Sequence, residues 1–308
     1  MVIAQRLGGF LLALLALQPA GALADSAEDG PPAVLAFPDQ RRVDTAHRLE
    51  WQWKKVHWGE LVSTAALAAT GFGVSQAVEP SARWTRANAF DDWFRDRLGA
   101  EGATLKRLDR ASDVLQWTSI GFPVLIDSVG VALIGDKNRE VGGQLLAIQA
   151  QAFAMTGFLT SSTKAAAGRV RPYAEQLGCA DPGVDCGGDA NRSYFSGHTS
   201  YAFAGAGLTC VAHRHLRPFG RVGDPLICAL ALSMASATGV LRIGANEHWA
   251  TDVLSGAGVG LFSGWLMPWL LHFRHDTSER RAAPGQVLRF LAPYGSRREL
   301  GLTLAAAF

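Results

Sequence analysis

The sequence predicts an all-α protein, a helical bundle embedded in a membrane, with a short hairpin near its C-terminus. Three observations carry this reading. Of 308 residues, 48% are hydrophobic and only 18% charged, where an average soluble domain has about 25% charged residues. The apolar residues gather into six segments, 61–78, 114–134, 144–163, 199–212, 225–241 and 252–272, without sustained two-residue alternation, so helix is the better reading than strand. The last segment, with Leu261, Trp265, Leu266, Trp269 and Leu270, is long enough to cross about 30 Å of hydrocarbon. A buried soluble bundle produces a similar pattern, and the apolar content of 225–241 and 252–272 favours the membrane. The composition is too apolar for a disordered chain. With 29 Lys and Arg against 27 Asp and Glu, it is too balanced for a general nucleic-acid binder, and no protein partner is predicted. Four cysteines exclude a disulfide-scaffold miniprotein.

In chain order, residues 1–24 read as a secretory signal peptide. Arg6 is the positive start, Leu7 to Leu17 the apolar run, and Ala22-Leu23-Ala24 the cleavage site. Residues 25–110 form an N-terminal segment with interfacial helices. It opens with Pro31, Pro32 and Pro38, then gathers Trp51, Trp53 and Trp58 beside Lys54 and Lys55, which suits a membrane interface or equally a tryptophan-packed helix core. Residues 111–272 form the helical bundle and 273–308 a tail. Segment 61–78, rich in Ala, Gly and Thr, is the weakest candidate span. If it crosses, after a cleaved signal peptide, loop 164–198 faces the cytosol; if it does not, that loop faces the periplasm. Basic residues do not decide, because Arg214, Arg217 and Arg221 are opposed by seven more in 79–113. Cys179 and Cys186 lie close together in a Gly- and Asp-rich loop, and an oxidising compartment predicts a disulfide between them. Cys210 and Cys228 fall in apolar helices and read as small core residues. Pro293-Tyr294-Gly295 followed by alternating Leu300, Leu302 and Leu304 predicts the hairpin.

Three clusters carry chemistry: Lys164 with Arg171-Pro172, Ser196-Gly197-His198, and Arg242 with His248 and Asp252. Converging cations in a charge-poor domain, without matching acids, are costly unless an anion joins them. Arginine forks fit phosphate oxygens, and lysine adds a point charge. Ser196 and Gly197 precede a helix, whose free N–H groups also favour an anion. His248 and Asp252 are four apart, hence on one helical face, where the carboxylate can hold one ring nitrogen protonated and leave the other to attack. His198 is available as general acid.

These segments, KAAAGRVRP from Lys164, YFSGHTS from Tyr194 and LRIGANEHWATD from Leu241, resemble the type 2 phosphatidic-acid phosphatase and vanadium haloperoxidase superfamily. Its pattern is Lys-x6-Arg-Pro, Pro-Ser-Gly-His and Ser-Arg-x5-His-x3-Asp; nine of eleven fixed positions agree. The likeness covers about residues 140–272, and nothing before 110 contributes. It implies a metal-independent phosphatase in which His248 attacks phosphorus and Asp252 orients it. His198 then protonates the leaving oxygen, and Lys164, Arg171, Arg242, Ser196 and the Gly197 amide hold the phosphoryl group. It also implies a site facing away from the cytosol, hence a bacterial inner-membrane protein open to the periplasm. Phe195 replaces the family's Pro, which loosens the approach to the anion site, and Leu241 replaces its Ser, removing one phosphate hydrogen bond. The expected substrate is a lipid phosphomonoester or diphosphate. The alternatives are a soluble periplasmic acid phosphatase, a haloperoxidase with vanadate in the same cradle, and a scaffold with a relic site. No other cofactor and no metal is expected.

Overall fold

The computed structural model describes residues 49–179, 187, 189–275, 289–296 and 299–306, the last two stretches as backbone. The signal peptide, Cys186 and most of the tail lie outside the described residues. Each of the six apolar segments lies in a long helix. Helix α1 is Trp58–Ala77, α2 Ala89–Leu98 and α3 Ala103–Gly121, which runs on as a π-wound stretch, Phe122–Gly135. Helix α4 is Arg139–Ala167, α5 a single turn at Pro172–Gln176, α6 Gly197–Leu216 and α7 Gly220–Gly244. Helix α8, Ala250–Leu261, continues through π-wound Phe262–Leu266 and Trp269–Phe273. The expected hairpin is present, with strands β1 Arg289–Ser296 and β2 Glu299–Ala306 antiparallel and Leu291 opposite Leu304.

Helices α3, α4, α6, α7 and α8 alternate in direction, so the bundle has two ends. One gathers the start of α3, the end of α4, the start of α6, the end of α7 and the start of α8. It holds all three motif clusters, because each cluster sits at a helix terminus. Helix α1 runs beside α4 in the same direction: Gln151 donates to Glu60 near its start, and Gly71 lies against the Phe158 backbone further on. Segment 61–78 therefore reaches from the far end to the site end, although its composition leaves it outside the helices apolar enough to cross a membrane.

Helix α6 lies at the centre, touching α3, α4, α7 and α8. Small residues permit this. A side chain at Gly205 would collide with the Ser119 carbonyl of α3, and one at Gly264 with the Ala204 carbonyl of α6, the close packing that joins helices in lipid. Three stretches, Ala103–Gly135, Gly220–Gly244 and Ala250–Phe273, are long and apolar enough to cross a membrane. Their outer faces expose Leu125, Ile134, Leu226, Leu230, Leu254 and Trp269, residues that a soluble bundle would bury. The fold is an all-α, membrane-embedded bundle carrying a terminal hairpin.

Two expectations change. The tryptophans divide: Trp53 is buried against Phe273 and His215, whereas Trp58 is 80% exposed. Cys210 and Cys228 are not separate core residues but a disulfide tying α6 to α7, with Cα atoms 4.7 Å apart. They lie at similar distances on either side of the tight α6–α7 turn, which brings them level on facing helices. Cys179 is disulfide-bonded; its expected pairing with Cys186 falls on a residue outside those described.

Candidate active site

Helix α4 ends after Lys164 because Gly168 takes a left-handed conformation (φ 54°) and its N–H closes on the Lys164 carbonyl. A side chain at Gly168 would strike the Ser81 carbonyl, so glycine satisfies both the turn and the close approach. The chain then extends through Arg169 and Arg171, and Pro172 starts the next turn at a position where no N–H is needed. Ser196 is the N-cap of α6, fully buried, its Oγ accepting from Thr199. Its own N–H donates to the Asp252 carbonyl, 3.1 Å. Phe195, at the family's Pro position, is packed into the fold, and Tyr194 Oη meets Ser255 Oγ at 3.1 Å. Gly197 keeps the space beside Lys164: an added Cβ would stand 3.8 Å from its Nζ and 3.3 Å from Thr160 Cγ2.

His248 lies in the turn between α7 and α8, before the first residue of α8. It and Asp252 therefore do not share a helical face; the helix ends at Gly244, and left-handed Asn246 (φ 58°) redirects the chain. The two are nonetheless adjacent, with His248 Nδ1 3.6 Å from Asp252 Oδ2, which is longer than a hydrogen bond. Neither ring nitrogen of His248 has a hydrogen-bond partner among the described residues. Burial first, then Arg171, Lys164 and Arg242, hold its pKa well below the usual histidine value. The imidazole is thus neutral, as a nucleophile must be.

The cations converge on this ring. Burial and Arg171 bring Lys164 down to about 7. His198, at the start of α6, contacts Asp113 Oδ1 through Nε2 at 2.8 Å. Burial and Arg242 lower it to about 4 despite that carboxylate.

The expectation of cations without matching acids is corrected. Arg171 donates to Glu247 and also to Asp189 Oδ2 at 2.8 Å. Arg242 donates to Asp109, to Glu247 at 3.2 Å and to Ser112 Oγ at 3.3 Å. Buried guanidinium groups need such partners.

Sequence reasoning also missed Arg169. It is 1% exposed, donates to Asp252, Thr251 and Asp91, and packs against Trp84 with its guanidinium carbon 3.9 Å from the ring centre. Asp252 further accepts from Ser193 Oγ and from the Trp249 N–H at 3.0 Å, so its carboxylate is fixed from three directions. Segments outside the likeness also supply partners to the site, Asp91 from α2 and Asp109 from α3. One signal was readable: Asp109 and Asp113 are four apart on a helix, and so share a face. Arg169 was hidden among the variable positions between Lys164 and Arg171. Among the described residues, no group of three His, Cys, Asp or Glu side chains is placed to hold a metal ion.

Comparison with known proteins follows the same segment. The PAP2 superfamily matches residues 145–276. A lipid A 1-phosphatase of Porphyromonas gingivalis is 32% identical over 191 residues, 61% of this chain and 36% of that protein. Lipid phosphate phosphatase 2 of Arabidopsis thaliana is 33% identical over 126 residues, 35% of this chain and 43% of that protein. The crystal structure of Aquifex aeolicus LpxE aligns with 58% of this chain and 94% of its own, at 19% identity and a TM-score of 0.36. The matched stretches span less than half the length of these curated relatives. Lys164, Arg171, Ser196, His198, Arg242, His248 and Asp252 all fall within residues 145–276, the stretch that matches the PAP2 superfamily.

Proposed function

We propose that this protein is a membrane phosphatase that hydrolyses a lipid phosphomonoester or diphosphate through a phosphohistidine. The observation that carries it is His248: a buried, neutral imidazole with both nitrogens unengaged among the described residues, set among Lys164, Arg171 and Arg242. Nδ1 is the nitrogen nearer Asp252, so Nε2 is the nucleophile. Its lone pair forms the P–N bond as the bond from phosphorus to the lipid oxygen breaks. The negative phosphoryl group opposes the field of Arg242 that keeps His198 neutral, and His198 takes up the proton it gives to the leaving oxygen. Water then attacks phosphorus, the P–N bond breaks, and His198 accepts the water proton. Lys164, Arg171, Arg242, the Gly197 amide and Ser196 hold the phosphoryl oxygens.

A lipid substrate is favoured by the exposed apolar faces beside the site-bearing helix ends, and the phosphatases named above act on lipids. The chemistry needs no metal. The decisive experiment is phosphate release by detergent-purified protein in EDTA, wild type beside His248→Ala, on phosphatidic acid, a prenyl diphosphate and lipid A. The expected result is EDTA-resistant release by wild type and background in the variant. Release by neither, or equally by both, would defeat the proposal.

A further inference from the structure

Glu247 is one of the variable positions between Arg242 and His248, yet its carboxylate stands where the two arginines of the site meet. The same oxygen, Oε2, accepts from Arg171 and from Arg242. Each arginine also has an acid of its own: Asp189 takes the Nη2 and Nε side of Arg171, and Asp109 takes Nη1 of Arg242. Those outer acids aim the guanidinium groups. Glu247 is the acceptor they share, and a shared acceptor between two forks is what a phosphoryl oxygen would be.

Local structure makes this deliberate. Left-handed Asn246 turns the chain, and the Glu247 N–H donates back to the Arg242 carbonyl at 3.1 Å. The carboxylate thus lies over Arg242 with His248 next in the chain. Glu247 is also the more accessible partner, its side chain 24% exposed against 5% and 4% for the two arginines. It can therefore swing toward water while they stay in place.

We infer that Glu247 is a built-in competitor for the phosphoryl site, a carboxylate that the substrate displaces and that returns to expel inorganic phosphate. The inference rests on the phosphatase reading of the site, because it assigns Arg171 and Arg242 to phosphate. It makes affinity for any phosphate weaker than the cradle alone would give, and it limits product inhibition. The other reading of the same contacts is that Glu247 merely positions the arginines, and the two give opposite signs.

The test is equilibrium dialysis of radiolabelled orthophosphate against full-length protein in detergent, for wild type, Glu247→Gln and Glu247→Asp. Neutralising the acceptor that two charge-assisted hydrogen bonds share should tighten phosphate binding about tenfold in Glu247→Gln. The shorter Asp, unable to span both arginines, should fall between. Turnover should show a lower KM and stronger inhibition by phosphate. Unchanged or weaker phosphate binding in the variants would overturn the inference and leave a positioning role. If Glu247→Gln does not fold, Glu247→Asp decides by the same sign. Dialysis needs no turnover, so an inactive wild type would sink the phosphatase proposal while this comparison still separates competition from positioning.

Discussion

Burial and Arg171 bring the Lys164 ammonium down to about 7, far below the ordinary lysine range of about 10.4. A bound dianion would raise it again, so anion binding should take up a proton whenever the pH lies between those two values. The sign follows: affinity is greatest below the free-site pKa and falls as pH rises through 7 toward that of the complex. Calorimetry with inorganic phosphate at about pH 8, in buffers of different ionisation enthalpy, should show net proton uptake by wild type, and less in Lys164→Arg, whose guanidinium stays charged. Equal uptake in both would remove Lys164 from the linkage. At this scale the sequence was a good guide to which residues the fold gathers around His248 and a poor one to what holds them. Lys164, Arg171, Ser196, His198, Arg242, His248 and Asp252 were readable because phosphoryl chemistry demands those types at short spacing. Arg169, Asp91 and Glu247 were not, because an acid that pairs with an arginine can come from anywhere the chain returns to.

Helix termini are the elements that build the site, and all six long helices were legible as apolar segments. Their polar ends were not. Helix α3 begins at Ala103, eleven residues before its apolar run, because its first turns face Arg242 and His198 through Asp109 and Asp113 rather than lipid. Helix α2, amphipathic and short, has too few apolar residues to announce itself; it matters because Asp91 caps the Arg169 network. The α6–α7 pair shows the opposite failing. Cys210 and Cys228 are consistent with quiet packing in composition, and only the antiparallel turn reveals them as partners. Closing a loop of this size should contribute roughly 3 kcal/mol. Cys210→Ser paired with Cys228→Ser should therefore lower the Tm of the detergent-purified protein by several degrees, roughly as that energy implies. Phosphatase turnover should stay near wild type, since the bridge lies three turns or more down α6 from His198. A large loss of turnover at temperatures where the variant remains folded would show that the bridge shapes the site.

For the whole molecule, orientation is set by α1. Because α1 runs with α4, the described chain enters the bundle at the end opposite the site. It also leaves there, where the Lys54 N–H donates to the His275 carbonyl. That far end carries Lys137 and Arg139 around one short turn and Arg214, Arg217 and Arg221 around another. The last three are exposed, and none forms an ion pair among the described residues. At the site end Arg169, Arg171 and Arg242 are consumed by ion pairs within the fold, but Arg83, Arg86, Lys106, Arg107 and Arg110 are exposed there. Exposed basic residues favour the cytosolic side but stand at both ends, so the family resemblance carries the choice: we propose that the far end is cytosolic and the site opens outward. This competes with cleavage near Ala24, which would start the chain outside and, through α1, bring the site in. A membrane-impermeant maleimide on spheroplasts separates the two. In a background with the native cysteines replaced, Glu101→Cys at the site end should label at once and Arg217→Cys only after the membrane is opened. The reverse pattern would put His248 in the cytosol and make the substrate a lipid of the inner leaflet. A periplasmic site would meet only lipid phosphates that have already crossed the bilayer.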